Sequence, residues 1–392
     1  MKLNLPGKGQ LIFWGFILLF CTLFAGVELT NNKFDTNDLR VYYDAVQDYF
    51  SGNNPYEENY GLDTGYYKYP PFILYLFSFY KLVSFPVAQI IHTTLLTVSL
   101  MLSIPMIKKV TEEVLSDGAV KRNTWMLYAI FFSVAIHLVR ELHMGNINLI
   151  LLGLFTGGLW LIFQRPQYYF CQALLWSLMI ILKPIMILCV IPLVFYRRWK
   201  LFFSITGLGL FYFLFPSIHK GWNGNIYLWQ LWYQSIAEHG EYIVSENTLR
   251  YLSHLYLGTT SDWLPSFFIL ALLMTGMIVE RKKNGINEQS FLVWLVIFCA
   301  FIPNFFVTDT EHLLLSVPVI ALLLWLLADL KTVKYWIIFS VIIAPFSFNS
   351  NDLLGRTISD QYIDRLGLMG ISNLLFILLS IFLYREYRKR RN

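Results

Sequence analysis

Three places in this chain combine residue types and spacing able to do chemistry. Asp38 opens the run DLRVYYDAV, with Asp35 one turn upstream. A carboxylate at the rim of a mostly apolar cavity resists ionisation and is suited to take a proton from a hydroxyl. Lys183 stands beside Pro184 between two apolar runs, read as the apex of a tight hairpin. There it either snorkels to lipid phosphate or holds a specific phosphate. In TDTEHLLLSVP, Asp309, Glu311 and His312 cluster at the start of an apolar run. A histidine beside carboxylates can orient a hydroxyl or stabilise a leaving phosphate, while a helix dipole alone would also favour the two acids there. Nearby polar groups are Arg140 and Glu141, read as neutralising one another, and His143, Asn146 and Asn148 in HMGNINL, whose amides either bond between helices or contact a ligand. Motifs such as HExxH, DxD, paired Cys, Walker A or GxGxxG do not occur, so no metal or nucleotide cofactor is expected.

These residues need elements to position them. From Asp38 to Phe50 the apolar residues Val41, Tyr42, Ala45, Val46, Tyr49 and Phe50 recur at helical spacing, which predicts an amphipathic helix ending near Ser51-Gly52. Arg40, Asp44 and Asp48 fall on its solvent face, where Arg40 and Asp44 can pair. Asp38 meets Val41 and Tyr42 three and four residues on, so it projects with the buried stripe. Thr36, Asn37 and Asp38 are also good helix caps, a structural reading compatible with a base on a rigid helix start.

The rest of the chain is built for a bilayer. Of 392 residues, 56% are hydrophobic and 14% charged, with mean hydropathy +0.53, whereas a soluble domain carries roughly 25% charged residues. Twelve apolar runs are expected to span: 10–28, 86–107, 124–141, 145–164, 167–182, 184–197, 200–218, 263–280, 289–306, 311–329, 334–349 and 366–385. The first lacks a small-residue cleavage site and reads as a retained anchor. Residues 70–85 read as a juxtamembrane or re-entrant helix. With that parity, alternate connections collect 20 of the 30 Lys and Arg, among them Lys108, Lys109, Lys121, Arg122, Arg197, Arg198, Lys200, Arg281, Lys282, Lys283 and the YREYRKRRN tail. The positive-inside rule then puts both termini in the cytoplasm of a cell (plasma or inner) membrane protein. The long connections 29–69 and 218–262 lie outside with the Asp38, Lys183 and His312 segments. The net charge of +5 is topogenic, and no nucleic-acid partner is expected. The four cysteines, Cys21, Cys171, Cys189 and Cys299, read as small core residues. Residues 1–392 carry no repeat or linker and form a single membrane domain, to which loops 29–85 and 218–262 contribute the active face.

The order DLRVYYDAV (38–46), GNNPY (52–56) and YKYPP (67–71) resembles the first outer loop of glycosyltransferase family 87, membrane enzymes of the GT-C fold. GNINL (145–149) is similar to that family's Gly-Gln-x-Asn element, with Asn146 in place of glutamine. ILKPIMILCVIPLVFYRRWK (181–200) is similar to its Lys-Pro span, NTLRYL (247–252) resembles an Asn-x-Ser element with Thr or shifted spacing, and TEHLLLSVP (310–318) resembles its His-containing helix start. The resemblance implies an all-α GT-C-like bundle of about 12 transmembrane helices with amphipathic juxtamembrane helices on the outer face. It implies transfer of one sugar, a mannose-like hexose or a pentose, from a polyprenyl-phosphate donor to a hydroxyl of a lipid or glycan acceptor. Asp38 matches the family's general base and His312 its active-site histidine. Lys183, with Arg250 from the NTLRYL element, is then a candidate for the donor phosphate. Asp35, Tyr42, Tyr69, Asn146, Asn148 and Glu311 are candidates for substrate contact. Tyr42, Tyr43, Tyr69, Trp222, Trp229 and Trp232 either stack on sugar faces or anchor in the headgroup zone. A transporter or flippase is the alternative class, but such proteins place charge at mid-membrane; here the interior exception is His92, read as a packing histidine. An O-antigen-type polymerase of lipid-linked glycans is a further alternative.

Overall fold

The computed structural model of the chain describes residues 7–61, 65–116, 124–239, 246–258, 263–305 and 310–391. Asp309, Lys121 and Arg122, named above, lie outside them. The described residues are helical but for turns and one isolated antiparallel bridge, Asn59 to Tyr66. The helices are α1 (Lys8–Thr30), α2 (Asn37–Ser51), α3 (Pro71–Leu76), α4 (Phe85–Leu115), α5 (Trp125–Ser133), α6 (Ala135–Met144), α7 (Asn148–Gln164), α8 (Tyr169–Leu182), α9 (Ile191–Phe195), α10 (Trp199–Leu214), α11 (Ser217–His239), α12 (Leu249–Leu257), α13 (Leu264–Asn284), α14 (Glu288–Phe305), α15 (Val317–Leu330), α16 (Val333–Ser347), α17 (Asn351–Leu354), α18 (Arg356–Ile358) and α19 (Leu368–Arg391). Three 3₁₀ turns, Ser78–Leu82, Pro184–Val190 and Thr310–Ser316, and a π turn, Ser359–Asp364, complete the order.

Each of the twelve apolar runs is a helix or a broken helix, and the breaks have local causes. The run 124–141 bends by 60° between α5 and α6. Val134 leaves helical geometry there, and the Ser347 hydroxyl donates to the freed Ser133 carbonyl at 2.7 Å. Run 184–197 is interrupted because Pro184 and Pro192 each lack the N–H that a continuous helix needs, so each begins a new turn. The helices α10 and α11 meet at 88° next to Pro216, and much of the long connection 218–262 is therefore helical. Among the described residues six helices are long and apolar enough to cross a bilayer, or eight when each bent pair counts once. The runs from Asn148, Tyr169, Pro184 and Val333 are shorter, 17 residues at most, or about 26 Å against a hydrocarbon core of ~30 Å. Pro71–Leu82 is likewise short.

The centre of the bundle is α14 and α15 with its leading 3₁₀ turn, both nearly wholly buried, while α1 and α13 turn apolar faces such as Leu19, Leu23, Phe268 and Leu272 outward. In one layer α4 packs on α7, α7 on α8 and α8 on α10; in the other, α14, α15 and α16 surround α19. Cys21, Cys189 and Cys299 are core residues as expected, but Cys171, at the start of α8, is exposed, because its side chain falls on the outward face of that helix.

The two ends of the helices differ in charge. At one end Arg198 pairs with Glu288, Arg388 with Glu280 at 3.1 Å, and Arg390 donates to the Leu330 carbonyl at 2.9 Å. These contacts tie the start of α10 to the start of α14, and the end of α19 to the ends of α13 and α15. The opposite end carries Asp38, Glu141, Asn146, Lys183 and His312.

Candidate active site

Helix α2 begins and ends close to its sequence pattern. Val41, Tyr42, Ala45, Val46 and Tyr49 are buried and Phe50 partly so, and Gly52 closes the helix with φ 98°. The capping reading of Asp38 is not realised. Thr36 at the cap position is left-handed, with φ 43°, and no side chain there accepts the capping hydrogen bond; the Thr36 hydroxyl accepts instead from Gln89 Nε2 at 3.0 Å. Asp38 therefore lies inside the first turn, half-buried, and close enough to Tyr42 to act on its phenol. Burial pushes the Tyr42 hydroxyl well above its usual range, reinforced by Tyr69, Asp38 and Glu141, so it stays a neutral donor. Asp44 departs from its expected solvent-facing place. It is partly buried, and that burial raises its carboxyl against the lowering effect of Arg40, which itself lies over the Phe85 ring at 4.1 Å. Asp35 is exposed beside the helix start.

The second wall is the turn between α6 and α7. Gly145 there has φ +66° and approaches α2 so closely that a Cβ would lie 3.0 Å from Thr36 Cβ and 3.2 Å from Leu39 Cβ. The Tyr42 hydroxyl bonds Tyr69 at 2.9 Å and reaches Asn146 Oδ1 at 3.4 Å. Behind the turn, His92 Nε2 donates to the Asn146 carbonyl at 3.2 Å, so Nδ1 accepts from the Tyr80 hydroxyl at 2.8 Å. His92 is thus a neutral packing histidine, and what it packs is the backbone of this turn.

Glu141 was matched with Arg140 on sequence grounds, and the structure separates them. Arg140 acts on His137 and Asp364, whereas the Glu141 carboxylate is wholly buried and accepts from Asn148 Nδ2 and from the Leu149 amide, each at 2.9 Å. Consecutive helical residues point about 100° apart, which is why neighbours in sequence face different partners. His143 also leaves the cluster, bonding Glu28 at 2.6 Å.

Lys183 joins Glu141 through Asn148. It sits half-buried where α8 gives way to the 3₁₀ turn, and its ammonium donates to Asn148 Oδ1 at 2.9 Å and to His312 Nε2 at 2.5 Å. His312 accepts through Nε2, which assigns the imidazole proton to Nδ1. Asn148 is oriented by the same pair of bonds, its oxygen toward Lys183 and its nitrogen toward Glu141. His312 and Glu311 are buried in the 3₁₀ turn that leads into α15, and Glu141 lies within electrostatic reach of both Lys183 and Glu311. Arg250 lies on α12, which packs on α13 and α14. Of the tryptophans named above, Trp232 donates to the Lys68 carbonyl at 3.0 Å and Trp229 to that of Phe213 at 3.2 Å, while Trp222 is exposed.

The arrangement offers one half-buried carboxylate, a neutral phenol pair, an ammonium beside a neutral imidazole and a buried carboxylate that fixes their partner amide. Such a site can accept a proton at one place and stabilise an anion at another. Among the described residues no group of three His, Cys, Asp or Glu is placed to hold a metal ion.

A search among curated proteins found no match. The model of glycosyltransferase family 87 matches residues 67–303, a stretch that includes Tyr69, Glu141, Asn146, Asn148, Lys183 and Arg250 and stops short of Asp38, Tyr42 and His312. That stretch is more than half of the chain and its apolar helices are those of a multi-pass membrane protein, so the chain belongs to glycosyltransferase family 87 and is a membrane glycosyltransferase.

Proposed function

We propose that the cluster between α2, the α6–α7 turn, Lys183 and His312 is the catalytic centre, and that it moves one sugar from a polyprenyl-phosphate donor to a hydroxyl of a lipid or glycan acceptor. The observation that carries this is the chain of hydrogen bonds from His312 through Lys183 and Asn148 to Glu141, beside the Tyr69–Tyr42–Asn146 set, with Glu141 and Asp38 both within electrostatic reach of Tyr42. In the reaction the acceptor oxygen forms a bond to C1 of the sugar as the bond from C1 to the phosphate oxygen breaks. Asp38 takes the hydroxyl proton, and the electron pair leaves on polyprenyl phosphate. Lys183 and the Nδ1–H of His312 are cationic and polar donors for that phosphate; Arg250 is a further donor for it. Tyr42 and Tyr69 supply hydroxyls and ring faces to the sugar, with Asn146, Asn148, Glu311 and Asp35 as polar neighbours. A glycosyl phosphate is already activated, so the chain needs no nucleotide site.

The twelve-span arrangement, with both termini cytoplasmic in the cell membrane, belongs to this reading. It is supported by the separation of the basic end from the catalytic end, which the positive-inside rule turns into inside and outside. Helices α2, α3 and α11 are then juxtamembrane, as the exposed Trp222, Tyr227 and Tyr233 of α11 suit. Membership of the family decides for glycosyl transfer over the transporter or flippase alternative. The test is incubation of the purified chain with a membrane lipid extract and a panel of polyprenyl-phosphate monosaccharides, against nucleotide sugars and lipid-linked oligosaccharides. Mass analysis should show a one-sugar increment from a polyprenyl-phosphate monosaccharide alone; increments from nucleotide sugars alone would overturn the donor assignment, and transfer of whole oligosaccharides alone would mark a polymerase.

A further inference from the structure

Helix α4 touches two walls of the candidate site through two residues near its start. Gln89 and His92 are three apart and so share a face of the helix. Gln89 Nε2 donates one N–H to the Phe34 carbonyl at 2.9 Å and the other to the Thr36 hydroxyl at 3.0 Å. This planar fork grips the segment leading into α2 at two points. On the same face, His92 Nε2 donates to the Asn146 carbonyl at 3.2 Å while Nδ1 accepts from the Tyr80 hydroxyl at 2.8 Å, and the imidazole lies against the Tyr42 ring, with centroids 6.2 Å apart. One face of one helix therefore sets both where the helix bearing Asp38 begins and where the turn bearing Asn146 lies.

Thr36 needs that grip. Its φ of 43° and ψ of 58° are a left-handed backbone that a β-branched residue adopts only when its surroundings impose it. The Thr36 side chain is buried, and its carbonyl accepts from the Arg40 amide at 3.0 Å, so the strained residue is the point from which α2 departs. Asp38 follows two residues later. Relaxing Thr36 toward an ordinary φ would swing the start of α2, and Asp38 with it, about that point. On the far side of Thr36 the close approach of Gly145 leaves no slack.

We propose that Gln89 and His92 are positioning residues for glycosyl transfer: Gln89 holds Asp38 in place by fixing the strained Thr36, and His92 holds Asn146 and Tyr42 by fixing the backbone of the α6–α7 turn. Each acts through another residue. The inference rests on the reading of Asp38 as the base.

The test is single-turnover transfer and donor KM for the full chain carrying Gln89→Met, Asp38→Asn or both. Methionine keeps the length of the side chain and removes both N–H donors, and the position is only partly buried. Misplacing a reacting group by about 1 Å costs roughly 100-fold, so Gln89→Met should slow transfer about 10- to 100-fold. Donor KM should stay unchanged, because Lys183, Asn148 and His312 are held by other contacts. In the Asp38→Asn background the same change should make no further difference, since the residue it positions no longer takes the proton. Equal slowing in both backgrounds would mark a merely structural role and overturn the inference, as would wild-type transfer by Gln89→Met beside slow transfer by Asp38→Asn. Wild-type transfer by Asp38→Asn would overturn the catalytic reading and this inference with it. For the second residue, His92→Gln keeps a donor for the Asn146 carbonyl and should transfer near the wild-type rate, whereas His92→Leu should be slower, both being measured below the Tm of either variant. Equal rates for the two would overturn the role of His92.

Discussion

Glu141 follows Arg140 in sequence, and a pair of opposite charges at a helix end invites the reading that they cancel. The carboxylate turns instead to Asn148 and the Leu149 amide, and through Asn148 it governs where the Lys183 ammonium points. An isosteric Glu141→Gln change keeps the volume, removes the charge near Lys183 and presents an N–H to one of two donors. Donor KM should rise about tenfold, since hydrogen bonds to charged groups contribute roughly 1.5–3 kcal/mol, with kcat less affected; an unchanged donor titration would remove Glu141 from the site. Lys183→Ala should raise the donor requirement at least as far, whereas simple snorkelling to bulk lipid predicts no change. Asp38, Lys183 and His312, whose roles are proposed, stand out in the sequence because each breaks a local expectation: an acid on a buried stripe, a cation between apolar runs, a histidine among acids. Glu141 carried no such signal, since its environment is tertiary.

At the scale of elements, α2 was readable in full, from its start beside Thr36 to the left-handed Gly52, because amphipathic spacing and a glycine stop leave few alternatives. The broken runs were not readable as breaks. Apolar composition is uniform across Val134, and the hydroxyl of Ser347 that takes up the Ser133 carbonyl is 214 residues away. Likewise the contact of α2 with the α6–α7 turn depends on Gly145, whose left-handed backbone is a property of the turn. Gly145→Ala should cost about 1–2 kcal/mol for that conformation alone, plus the displacement of Thr36 or Leu39 by the new methyl. A lower Tm together with a loss of transfer is expected, since α2 carries Asp38; a variant with wild-type Tm and activity would show that the close approach is not needed.

The whole molecule separates two kinds of charge. One end of the bundle carries arginines tied to Glu280, Glu288 and backbone carbonyls, and the other carries the proposed site. The division itself was legible from parity and cation counts, but not which connections fold back as helices, as α11 does. With both termini inside, a cysteine replacing Glu57 in a chain lacking its natural cysteines should react with an impermeant maleimide in intact cells, and one replacing Lys389 should not; the reverse pattern would invert the proposed orientation. In the proposed reading such an architecture brings a lipid-borne donor to a fixed carboxylate, and the chemistry of that carboxylate is the most direct test. The measurement is single-turnover transfer by purified wild type, Asp38→Asn and Asp44→Asn from the same polyprenyl-phosphate monosaccharide, with donor binding followed separately. Asp38→Asn should bind donor normally and transfer about 100- to 10,000-fold more slowly, the range for loss of a general base, while Asp44→Asn stays close to wild type. Transfer by Asp38→Asn at the wild-type rate would contradict the account.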